Sequence, residues 1–417
     1  MTAAHRIFAI LIGLSPVVMV FGRGVLGLVL LATLVSAIWA LRPGFIDTVR
    51  AVFARIVPTV WPLLIMLAFW ALSSALSDDP SAAFEVLIRY PFLFAALFLI
   101  LCASTHPGYD PRLTATLVIW GVIAASLIGI WAETVDYDIL YILRPDHIGR
   151  TISPVVLLAF KSSLALSIPV LVWWGVTGHR MAWVAAALAL ALIFGTEKFR
   201  GNAGLAGILG AVLVVALVML ATRIPKRGKA IVFSTAIIGA FGVLALFAWN
   251  LPEYPVPVGF EDNLPLPFID AHRQAIWAFT WEQIGDHPWF GYGIDQIKNA
   301  PGAAVDVPWL FQAYLPAHPH NWILEITAET GLFGLGAMVF WLGVCSFLLV
   351  RLCFAANVDQ RRAATCIVAV MAAYWCSSLF NFSAFSTWWN ATGLLHLVFP
   401  GAVLLRSLMA EGSAARA

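Results

Sequence analysis

Two imidazoles separated by a single proline, His318-Pro319-His320, and followed by Asn321, stand where a polar stretch over residues 250–318 meets a strongly apolar segment. An imidazole changes protonation near neutral pH, so histidines at such a boundary are candidates for an acid, a base or a metal ligand. His-x-His can hold a metal, but Asp146, His147, His272 and His287 fall in other segments without ligand-like spacing, and no metal site is expected. A base has more physical support. Pro319 restrains His318 to extended backbone, and Asn321 is a good N-cap for a helix that starts at Trp322. His320 would then lie beside the positive end of a helix dipole, which disfavours the imidazolium and keeps a neutral base available near pH 7. Glu325 and Glu329 follow on one helical face, where they could orient the imidazole, contact a substrate or supplement the helix terminus.

Other polar residues need weighing against blander roles. Arg200, in Glu197-Lys198-Phe199-Arg200-Gly201-Asn202, closes one apolar span and opens the next, where an arginine can simply snorkel to headgroups. Arg273 shares a helical face with Trp277, Trp281 and Ile284, which fits an anchor directed at the membrane interface. Lys161 falls within a span, where an ammonium either snorkels or lines a wet cavity. Asp136-Tyr137-Asp138 has the form of a divalent-ion motif, but in a short loop with Glu133 and Asp146 ordinary solvation explains it better.

These residues have to be carried by a membrane scaffold. At 61% apolar and 11% charged residues, the chain is far from the composition of a soluble domain of 417 residues. Apolar stretches of about 17–25 residues suffice to cross a bilayer core as helices. About twelve are read, near 7–22, 24–41, 58–77, 90–104, 113–133, 153–176, 181–196, 201–222, 231–249, 322–350, 364–383 and 390–408. Residues 1–249 form an N-terminal membrane domain of about nine spans, 250–321 one large outer loop, and 322–417 the last three or so spans. Met1 to Arg23 is similar to a signal peptide but has no small-residue cleavage site, so it is read as a retained helix. Phe45 to Val57 reads as an interfacial helix on the inner surface. In the outer loop, Pro252, Pro255, Pro257, Pro265 and Pro267 preclude a continuous helix, and a helix is expected from Asp270 to about Gly285.

Orientation follows from the cations, of which roughly 15 fall on the inner side and about 8 on the outer if the N-terminus is inside. The large loop and His320 then face the outside or periplasm. A net charge of +2, spread over many loops, gives no reason to expect nucleic acid. The five cysteines form neither a disulfide framework nor a Cys-x-x-Cys pair. No internal repeat is visible, which counts against transporters built from inverted repeats.

The run His318-Pro319-His320-Asn321-Trp322-Ile323-Leu324-Glu325, with Glu329-Thr330-Gly331-Leu332-Phe333-Gly334, resembles the signature region of the O-antigen ligase and polymerase superfamily. Arg273 to Trp277, leading into His287-Pro288-Trp289-Phe290-Gly291-Tyr292-Gly293, is similar to the preceding stretch of that family, and Arg200-Gly201 resembles its outer-end arginine. Three motifs in order around one loop cover about residues 190–340.

The resemblance implies a GT-C-type glycosyltransferase of the bacterial inner membrane, with its active site on the periplasmic face. It would use a polyprenyl (undecaprenyl) diphosphate-linked glycan as donor and need no metal, nucleotide sugar or other cofactor. Arg200 and Arg273 would hold the diphosphate, with Lys161 a further candidate, since guanidinium forks match phosphate oxygens and stabilise a departing diphosphate. His320 would take the proton of the acceptor hydroxyl, which attacks the anomeric carbon with inversion; His318, Asn321, Glu325 and Glu329 would support it. The acceptor is expected to be the lipid A core, making the chain a ligase of lipopolysaccharide biosynthesis. Polymerisation of lipid-linked repeat units, or protein O-glycosylation, would use the same donor chemistry. A transporter of lipid-linked solutes is the alternative from another class.

Overall fold

A computed structural model of the chain describes residues 2–144, 149, 151–195, 201–259, 266 and 269–414. In order the helices are α1 Ala3–Leu14, α2 Arg23–Leu41, α3 Phe45–Ala75, α4 Pro80–Leu87, α5 Arg89–Thr105, α6 Pro111–Thr134, α7 Leu140–Leu143, α8 Leu158–Val176, α9 Met181–Phe194, α10 Asn202–Thr222, α11 Lys226–Trp249, α12 Ala271–Asp286, α13 Trp322–Leu352, α14 Val358–Ser378 and α15 Thr387–Ala414. The one sheet among the described residues is a two-residue hairpin, β1 Asp306–Val307 against β2 Gln312–Ala313. The chain is an all-α, multi-pass membrane protein.

Local sequence sets the helix starts. Asp79 and Asp110 accept hydrogen bonds from first-turn amides at helices that open with Pro80 and Pro111, pairing a carboxylate cap with a residue whose missing N–H costs nothing there. Asn357 caps α14 with its side-chain amide oxygen, which accepts from the amides of Asp359 and Gln360. At the other end of α5, the Arg406 guanidinium donates to the carbonyls of Ser104, Thr105 and His106, groups that otherwise lack helical partners. The largest apolar core runs through α1, α2, α5, α6, α8, α9 and α15. A separate core under the large loop packs Trp277, Phe279, Tyr314 and Leu315 against Leu324 and Ala328 of α13.

Every span expected from the sequence coincides with a helix, but nine spans among the described residues are long and apolar enough to cross a membrane, with α4 and α5 counted together. The shortfall from about twelve has local causes. α1 has 12 residues, ended by Ser15-Pro16, and α9 has 14, ended at Gly195 with φ of 49°. Both are shorter than the bilayer core at 1.5 Å per residue. α14 is long enough but opens with Asp359, Arg361 and Arg362. Phe45 to Val57 is no separate interfacial element: it is the first part of the 31-residue α3, which continues through Pro58 and Pro62.

Candidate active site

Asn321 caps α13 as the sequence suggests, its side-chain oxygen accepting from the amides of Ile323 and Leu324 at 3.0 and 3.3 Å. Immediately before it, His320 adopts φ of 56°, a left-handed conformation that costs a non-glycine residue about 1–2 kcal/mol. What holds it there comes from two distant segments. The Trp277 indole, fully buried on α12, donates to the Pro319 carbonyl at 2.8 Å. The Asn381 carbonyl accepts from His320 Nδ1 at 2.8 Å and from His318 Nε2 at 2.9 Å. A carbonyl can only accept, so His320 carries its proton on Nδ1 and, when neutral, leaves a lone pair on Nε2.

Burial lowers the His320 pKa to about 4, with a smaller push from the neighbouring His318 and opposition from the Asn381 bond. His318 is lowered as well, again chiefly by burial. Burial thus disfavours the imidazolium at His320, the direction expected from the helix dipole.

Trp277 faces the core of the loop rather than the membrane interface, while Trp281 on the same helix is exposed. Arg273 lies half-exposed beside its own N-cap, its guanidinium 2.8 Å from Asp270 Oδ2, and its charge is felt at His320. Arg200, with Glu197 and Lys198, lies outside the described residues, as do Asp146 and His147. Asp136 accepts from the Asp138 amide at 2.9 Å, a self-capping turn that accounts for the Asp-x-Asp spacing.

Lys161 is placed differently from either sequence reading. It is fully buried in an ion pair with Glu133 of α6, itself 2% exposed. A Cβ on Gly195 would lie 2.7 Å from both charged groups, so the pair sits beneath the end of α9. Lys161→Met alone removes the cation beside a buried carboxylate and is expected to destabilise the protein by about 3–5 kcal/mol, whereas adding Glu133→Leu should recover most of that. Thermal unfolding of the detergent-solubilised variants checks this, and an equally unstable double variant counts against the pairing.

Glu325 and Glu329 do not touch the histidines. Glu325 accepts from Ser383 Oγ at 2.5 Å and from the Ala384 amide at 2.6 Å, fixing the turn that carries Asn381. It therefore positions the imidazoles through that turn. Glu329 accepts from the Asp295 amide at 2.6 Å, and its own carbonyl accepts from Ser73 Oγ and the Gly293 amide at 2.7 and 2.8 Å. Beside it, α13 breaks at Gly331, with φ of 66° and ψ of −177°. Residues 288–293 fill the break, the amides of Tyr292 and Gly293 donating to Ala328 and Glu329 and the amide of Leu332 donating to Pro288. This explains the glycines of both motifs: a Cβ on Gly331 would lie 2.1 Å from the Trp289 carbonyl oxygen, and one on Gly291 2.4 Å from the Glu329 carbonyl carbon.

Sequence reasoning missed a further set of residues. A cavity of about 510 Å³ is lined by His318, His320, Asn381 and Phe382 together with Arg23 and Arg144. These come from the start of α2, the end of α7, the approach to α13 and the turn after α14, so one end of the bundle gathers them. Arg23, Arg144, His318 and His320 fall between spans on the side assigned as outer by charge, and Asn381 and Phe382 at the end of the span read near 364–383.

An all-helical membrane scaffold that gathers histidines and arginines around one cavity is the class the geometry defines. The family resemblance is borne out over residues 164–339, where the family model described as O-antigen ligase matches. A provisionally named polysaccharide ligase of Rickettsia conorii is 30% identical over 131 residues, 31% of this chain and 30% of its own length. A similarly named protein of Rickettsia prowazekii is 29% identical over 134 residues, 31% of each chain. The match thus spans about three tenths of the length of these relatives.

Proposed function

We propose that this protein is a membrane glycosyltransferase that moves a glycan from a polyprenyl-diphosphate carrier to an acceptor hydroxyl, at the periplasmic face of the bacterial inner membrane. The observation that carries this reading is the Asn381 carbonyl fixing Nδ1–H of His320, which leaves Nε2 as a base in a cavity that also holds arginines. In the reaction the acceptor oxygen forms a bond to the anomeric carbon as His320 Nε2 takes its proton. The bond from that carbon to the diphosphate breaks on the opposite face, with inversion, and the diphosphate leaves with the electron pair. Arg273 and Arg200 would meet the growing charge. Arg273 is held by Asp270, a contact that an arriving diphosphate can exchange for two phosphate oxygens.

The match to the O-antigen ligase model and the names of the rickettsial relatives support a ligase over a polymerase, and the acceptor in this proposal is a lipid A core. The test is an assay of the purified chain with a synthetic polyprenyl-diphosphate glycan and a lipid A core acceptor. Transfer with release of the carrier diphosphate, unaffected by EDTA, is expected. Neither product with this acceptor nor with a second copy of the donor removes the enzyme reading; product only with the second donor makes the chain a polymerase.

A further inference from the structure

Arg23 and Arg144 are 121 residues apart in the chain and 174 or more from the histidines, yet all four line the same cavity. We propose that Arg23 and Arg144 form an anion subsite for the phosphate group of a lipid headgroup, additional to any diphosphate contact made by Arg200 and Arg273. Its purpose rests on the glycan-transfer reading above; its chemistry does not.

Arg23 is exposed and forms no hydrogen bond or ion pair with another described side chain; its guanidinium carbon stands 4.6 Å from the centre of the Trp388 ring. A guanidinium resting over an aromatic ring need not spend its N–H groups on that contact, and its fork of donors suits bidentate binding of a phosphate. Arg23 is also the first residue of the 19-residue α2, whose Gly22 cap supplies no side-chain acceptor. The first-turn amides and the positive end of the helix therefore add to the same field. Gly24, which lines the cavity, has open space where a Cβ would stand.

Arg144 is brought in from a different direction. It is 8% exposed, donates to the Val156 carbonyl at 2.8 Å, and its Nη1 would lie 2.9 Å from a Cβ on Gly22. Gly22, with φ of 107°, thus lets the second arginine close against the segment that carries the first. The remaining walls, including Met19, Val156 and Leu158, are apolar. A charged group bound against them loses part of its hydration on the Arg144 side, which strengthens that guanidinium contact. The charge of Arg23 already reaches His318, where it opposes protonation. An anion between them would sit beside the imidazoles at the level where the helices end, the depth of a lipid phosphate and not of an acyl chain.

The two sources of such a phosphate are the diphosphate of the carrier lipid and a phosphorylated glycolipid acceptor. They separate by titrating the detergent-purified full chain with a short-chain polyprenyl diphosphate, a phosphorylated glycolipid, and the same glycolipid after dephosphorylation. Arg23→Gln is expected to weaken binding of a phosphate-bearing probe by about 10-fold, equivalent to about 1.4 kcal/mol, with no change for the dephosphorylated probe. Arg23→Lys should recover only part, because an ammonium cannot fork onto two oxygens. Loss confined to the polyprenyl diphosphate assigns the subsite to the carrier, and loss confined to the glycolipid assigns it to the acceptor. Arg144→Gln should act in the same direction; should it fail to fold without its Val156 bond, the exposed Arg23 still decides. Binding of both phosphate-bearing probes by Arg23→Gln within two-fold of wild type overturns the subsite. Because these are binding measurements, they stand or fall apart from whether the chain transfers a glycan.

Discussion

His320→Ala is expected to lower glycan transfer by about 100-fold or more, the range typical of losing a positioned general base, while leaving retention of the polyprenyl-diphosphate donor nearly unchanged. The split follows from the geometry. In the proposed reaction His320 handles the proton of the acceptor hydroxyl, whereas guanidiniums meet the donor's charge. His318→Ala should cost less, since His318 shares the Asn381 carbonyl and adds a neighbour to His320 but is not the proposed base. The pH profile gives an independent readout. The working form is the neutral imidazole, and a pKa lowered to about 4 keeps it neutral from pH 8 down past pH 6. The rate should therefore hold across that window and fall only as pH drops through about 4. An acidic limb near 6.5 would mean that burial in the working protein does not control the group. Full activity of a correctly inserted His320→Ala variant would remove the assignment altogether.

Gly331→Ala should be among the most damaging single methyl additions in the molecule. The conformation at φ 66° and ψ −177° belongs to a region populated almost solely by glycine, and forcing another residue into it costs about 1–3 kcal/mol. The added carbon would also stand 2.1 Å from the Trp289 carbonyl oxygen, which is backbone and cannot swing aside. Together these predict a loss of more than about 3 kcal/mol, seen as a marked fall in the midpoint of thermal unfolding or as failure to accumulate in membranes. Gly336→Ala, five residues on in the same helix and with nothing within 4 Å of its new carbon, is the control and should change stability by less than about 0.5 kcal/mol. Equal stability of the two variants would mean that the break in α13 is dispensable.

The sequence conveyed the parts of this arrangement that are written in side-chain type over short distances. The cap at Asn321 and the helix after Asp270 act within a few residues of where they stand, whereas the glycines of the two motifs were visible as motif residues but meet each other's segments only in the fold. Apolarity located each of the nine long apolar helices among the described residues, though not the early ends of α1 and α9, which depend on Pro16 and on the backbone turn at Gly195. What stayed hidden is tertiary. The group that orients both histidines is a backbone carbonyl, and every residue has one, so nothing marks Asn381 in a sequence. Lys161 is answered by Glu133, 28 positions earlier and on another helix, and no local pattern relates them. Arg23 read only as the end of an N-terminal apolar run, and nothing in the sequence singled out Arg144, until folding set them around one cavity with the histidines.

Glu329 joins three parts of the chain at one buried point: α3 through Ser73, the outer segment through Gly293 and Asp295, and α13 itself. A machine that carries its cargo across a membrane by rocking one helical bundle against another would have to pull these parts asunder in every cycle, stranding buried polar groups at about 1–3 kcal/mol each. A frame riveted in that way is better matched to staying still. Traffic would then be left to the lipids, which drift sideways in the leaflet until a headgroup meets the cavity and leave by the same two-dimensional route.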